Sequence, residues 1–356
     1  MSKGSKGIDG LLADLVAEGT VDSAGAFSLD RDKAREKMRQ FQLAEPLEYL
    51  LQLVRAAVLR GATALSFEID TDDMWLSFDG ESFEVEDFDE LYGALFGGGD
   101  AGGLAARRHL ALGVNAALAL APRHVRVESG GAFLEARPGQ DDAFGPLAPT
   151  RAGTRVHVRD RLRLGNLVRF VRALGGSLPE RKLLADRCAY CPVPLTLNDA
   201  RLDGGLDRLR AELASWAEVT DGDARVAGGH ALDEAPGTVA IVAAGVTIRQ
   251  VPLPAAPGFR AVAMAPGLRT DVSQADVVQD ATYARLLGLV EQARLTSLLA
   301  LLADRPEEAE AALVRELLYA PPPGVWAEQY GEGLAARLAA TPFWPRLGAG
   351  GRPRRR

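Results

Sequence analysis

The residues best suited to chemistry fall in a few short stretches. The glycine-rich run GGGDAGG, 97–103, precedes Arg107 and Arg108 at the head of an apolar helical segment. Glycines let backbone N–H groups approach an anion, and two guanidinium groups near a helix N-terminus add positive charge, so this stretch can hold an anionic group. A plain surface loop accounts for the same glycines equally well. Asp79-Gly80 follows an apolar strand and offers a carboxylate acceptor, although chain reversal alone explains the pair too. Cys188 and Cys191 form a single C-A-Y-C pair. No second pair completes a zinc site, and Pro192 and Pro194 follow where a redox motif needs a helix, so packing is the reading for both thiols. His109, His124, His157 and His230 are scattered and read as structural.

The elements that must position these residues follow from pattern. A short amphipathic helix is expected at 8–18, a strand at 25–30, and a charged helix capped by Asp30. Pro46 sits in the first turn of a longer helix, where Leu47, Leu50, Leu51, Val54, Ala57 and Val58 recur at helical spacing until Gly61. Strands are expected at 64–70, 74–78 and 154–160, with a hairpin over 123–138 turning at Gly130-Gly131. A buried helix is expected at 104–121 and a surface loop at 139–153. Helices near 165–175 and 179–190 lead to a strand at 193–199, which opens a second unit whose other strands lie in 238–265. The stretch 203–237 has weak periodicity and yields no elements. From 275 the pattern is helical, with Asp271 and Ser273 as candidate caps and PPPG breaking it at 321–324.

Composition sets outer limits. The chain of 356 residues is 47% hydrophobic and 25% charged, which suits more than one domain around a sizeable core. A net charge of −7 disfavours general nucleic-acid binding, and the Arg-rich end GRPRRR reads as a solubilising tail. No apolar run reads as a membrane span and no secretory signal is evident, so a cytoplasmic location is the expectation.

In order and spacing, the residues 45–160 resemble the ATP-binding domain of the GHKL superfamily (DNA gyrase, heat-shock chaperones, histidine kinases and MutL). MutL and chaperone-type members match best. Gly61-Ala62-Thr63, Asp79-Gly80, the 97–103 loop and Gly153-Thr154 carry the resemblance. It implies an α+β fold: a mixed, mainly antiparallel sheet covered by helices on one face (1–163), a smaller ribosomal-protein-like α/β domain (164–285), and C-terminal helices (286–356). It also implies an adenine nucleotide, ATP or ADP, near Asp79, Gly80, Gly153 and Thr154. Phosphates would lie near Gly113, Arg107 and Arg108.

The resemblance is to a scaffold without its catalytic set. The motif glutamate falls on Gln52, the magnesium-binding asparagine on Ala56, and an aspartate on Leu59. Losing a general base costs ~10²–10⁴ in rate, and an alanine offers magnesium no oxygen. Two motif glycines become Glu81 and Phe83, and an earlier partner of Gly113 becomes Leu110. Glu48, one turn before Gln52, is a candidate substitute base, or else a solvated helix residue. Arg269 stands remotely for a phosphate-contacting lysine that no residue after Lys182 can supply. The expectation is a catalytically degraded module that senses nucleotide or binds a protein partner, with a homodimer allowed. The alternatives are an active ATPase using Glu48 or Glu81, and a nucleotide-free scaffold.

Overall fold

A computed structural model describes residues 45–70, 72–95, 102–160, 179–233, 235–271 and 274–305. The elements expected at 8–18, 25–30 and 165–175, the helix after Asp30, most of the 97–103 loop, Ser273 and everything beyond 305 lie outside these residues.

Eight strands build the first sheet: β1 (Leu65–Ile69), β2 (Asp73–Phe78), β3 (His124–Ser129), β4 (Ala132–Ala136), β5 (Ala143–Pro146), β6 (Thr154–Arg159), β7 (Leu195–Leu197) and β8 (Ala200–Arg201). Their spatial order is β5-β4-β3-β6-β2-β1-β7-β8, antiparallel throughout except for the parallel β1–β7 pair. Alternation divides the faces. Leu65, Phe67, Leu76, Val127, Leu134 and Val156 point into the core, whereas Trp75, Arg126, Glu135 and Arg155 share the opposite face. On that face Trp75 stacks on His157 and Arg155 lies over the Trp75 ring.

Helices close the apolar face: α1 (Tyr49–Leu59), α2 (Val85–Asp89) and α3 (Gly102–Ala119), followed by α4 (Pro179–Arg187). Leu50, Leu51, Leu53, Val54 and Ala57 of α1 are buried at the expected spacing, and the helix ends where Gly61 N–H bonds the Val58 carbonyl. α3 lies directly against α1. A Cβ at Gly113 would come within 2.8 Å of Leu53 Cδ2, so this glycine sets the approach of the two helices.

A second sheet follows, of order β12-β11-β13-β10-β9. It contains β9 (Ala217–Asp221), β10 (Ala224–His230), β11 (Gly237–Ala243), β12 (Val246–Leu253) and β13 (Phe259–Met264). α5 (Gly205–Glu212) packs on one face through Leu209, beside Ala240, Val242 and Val262. α6 (Ala281–Asp304) covers the other, lying against β9, β10 and β13 with Leu286, Val290 and Ala293 buried. The protein is thus a mixed α+β structure with mainly antiparallel sheets and packed helices.

Several local expectations change. The stretch 139–153 is not all loop, because β5 pairs with β4. As an edge strand it exposes most of its residues and carries no apolar alternation. The strand at 195–197 joins the first sheet beside β1 and does not open a second one. The stretch 203–237 holds α5, β9 and β10. Gly228 and Gly229 leave β10 without an apolar alternation, yet both are required by close packing: a Cβ would meet Arg260 O at 2.3 Å and Ser215 O at 1.9 Å. Asp271 holds a turn through Ala275 and Asp276 N–H groups, while the cap of α6 is Asp280, which accepts from Tyr283 N–H at 3.1 Å. α6 is long and apolar enough to cross a membrane by length and composition, and 56% of its apolar window is buried in the protein.

Asp280→Ala is expected to lower unfolding free energy by about 1 kcal/mol, with Asp280→Ser recovering most of it, because either cap oxygen satisfies the same N–H. Urea unfolding of the three proteins measures this.

Candidate functional site

The polar residues of α1 define what the site can do. Gln52 is 2% exposed, and its Oε1 lies 2.8 Å from His109 Nδ1 on α3. An amide oxygen only accepts, so His109 carries its proton on Nδ1 and donates it here. His109 is half-buried by surface, yet protein surrounds the ring closely. Desolvation first, then Arg55 and Arg108, pushes its pKa well below 6.5. The imidazole is neutral at physiological pH. Ala56 is 1% exposed and offers no oxygen. Glu48 is turned to Arg187, 3.5 Å away. Glu81 is exposed and 3.7 Å from Arg60. Gln52 and His109 therefore join α1 and α3 through a neutral hydrogen bond, with Ala56 buried one turn along.

The second group, Asp79, Gly80, Gly153 and Thr154, is brought together at the ends of β2 and β6 but bonded elsewhere. Asp79 Oδ1 accepts from Thr63 N at 2.6 Å and Ala64 N at 3.1 Å, and Oδ2 accepts from the Thr63 hydroxyl. The Thr63 bonds hold its carboxyl below the usual aspartate range. Gly80, at φ +99°, packs on the last turn of α1, where a Cβ would meet Arg60 O at 2.6 Å. The same carbonyl takes the Glu81 N–H at 2.9 Å, so the Asp-Gly turn caps the helix end. Gly153, at φ +70°, lies against the Phe78 carbonyl, 2.4 Å from where a Cβ would stand. Thr154 bonds Ser129 Oγ at 2.6 Å, and Ser129 also accepts from Phe83 N–H at 2.8 Å. Phe83 itself is fully buried, with the Arg60 guanidinium 4.1 Å from its ring centroid.

The two arginines before α3's apolar run part company. Arg107 pairs with Asp87 and Glu90, each at 3.4 Å. Arg108 donates from Nε to the Ala94 carbonyl at 3.2 Å and lines a cleft of about 350 Å³. That cleft lies between α1, α3 and the loop after β13, and Arg55, Leu59, His109, Arg269 and Gln274 also border it. Arg55 and Gln274 were not singled out by the sequence reading. The signal for Arg55 was a lone cation inside the apolar stripe LLQLVRAAVL.

The remaining chemically capable groups serve the fold. His157 bridges His124 at 3.1 Å and Asp73 at 2.5 Å on the sheet face opposite the helices. His230 donates to Ser297 at 2.9 Å, whose hydroxyl proton goes to the Arg294 carbonyl. Cys188 and Cys191 are free and buried. Burial pushes the Cys191 thiol up to about 11 and the Cys188 thiol higher, so neither supplies thiolate at neutral pH. Asp70, Asp72 and Asp73 cluster in the β1–β2 turn, where Asp70 Oδ1 accepts from the N–H groups of the other two.

The chain is thus a mixed α+β protein carrying a neutral helix interface beside a basic cleft. No protein-family model matches the sequence, and no curated protein matches it significantly.

Two predictions follow from the site geometry. Gly153→Ala is expected to destabilise by more than the about 1–2 kcal/mol that a left-handed alanine costs, because it also meets a carbonyl. Gly139→Ala, at φ +73° with open space around it, is expected to show only the conformational cost. Equal losses in denaturant unfolding would contradict this. His109 and His124 both have native pKa values lowered below 6.5. The unfolded chain takes up protons that the native chain refuses, so stability is complete above pH 6.5 and declines below it. His109→Gln should make that decline shallower when melting temperature is followed from about pH 8 to about pH 5.5.

Proposed function

We propose that this chain is a GHKL-like protein that acts by binding and does not turn over ATP, a chaperone-like module for a protein partner. On this reading 1–163 corresponds to the GHKL scaffold, 164–285 to the ribosomal-protein-like domain and 286–356 to the helical region. The observation that carries the proposal is the Gln52–His109 bond. The position where the superfamily resemblance puts a general base holds a buried amide whose oxygen accepts a hydrogen bond from a neutral imidazole. Ala56, 1% exposed, extends the same apolar contact in place of a magnesium ligand.

The Asp79 bonds to Thr63 and Ala64 and the Thr154 bond to Ser129 support a module that has turned its adenine-side residues to packing. With carboxylate and hydroxyl both engaged, and Phe83 filling space beside them, an adenine would have to displace existing bonds.

Purified protein with magnesium and ATP is expected to release no phosphate above a protein-free blank. The double variant Gln52→Glu/Ala56→Asn is expected to stay inactive while keeping its circular dichroism, because residue 56 sits inside the helix contact. Magnesium-dependent release that disappears in Glu48→Gln or Glu81→Gln would replace this proposal with a rearranged ATPase.

A further inference from the structure

We draw no further inference here: the strongest candidate, the half-buried patch that Tyr190, Leu213, Trp216 and Met264 form beside α5 on the second sheet, is an apolar face for which nothing in the structure shows what covers it.

Discussion

One buried cation organises the centre of this molecule. Arg55 sits on a helix whose other buried positions, apart from Gln52 and Tyr49, are leucine, valine and alanine, and it reaches from the first sheet's helical layer to Gln274 in the loop beyond the second sheet. Removing an ion from water costs several kcal/mol even after relaxation, so its surroundings have to compensate. They do so with an amide, two flanking carboxylates and a cleft left open beside the guanidinium. Through its bond to Gln274, Arg55 links α1 to the chain that follows β13.

Elsewhere in the molecule, residues of types that often do chemistry serve packing. Gln52 and His109 join two helices that Gly113 allows to approach closely. Asp79 ties the start of β1 to the end of β2, and Gly80 lets the following turn cap α1. Thr154, Ser129 and the Phe83 amide form one buried chain between β6, β3 and the 79–83 segment. Each contact satisfies polar groups that burial would otherwise penalise. Under the proposed reading, packing replaces hydrolysis at the same positions and leaves binding as the remaining activity.

The legibility of the chain followed the physics of each segment. α1, β1, β2, the β3–β4 hairpin and β6 were readable because one face of each is apolar at its natural period. β10 was not, because Gly228 and Gly229 serve close packing and leave no alternation to detect. β5 was missed because an exposed edge strand needs no apolar face. At the site, local pattern located Asp79, Gly80, Gly153 and Thr154, but their hydrogen bonds depend on which strands adjoin. The cleft depends on contacts between residues as distant as Arg55 and Gln274, which no local period encodes.

The most direct measurement is hydrogen–deuterium exchange on the full chain, alone and with ATP. The account predicts no change at 79–83 or 153–154 when ATP is added, because Asp79 and Thr154 are engaged in bonds within the protein. Protection by ATP centred on 79–83 and 153–154 would contradict it and restore those residues to nucleotide recognition.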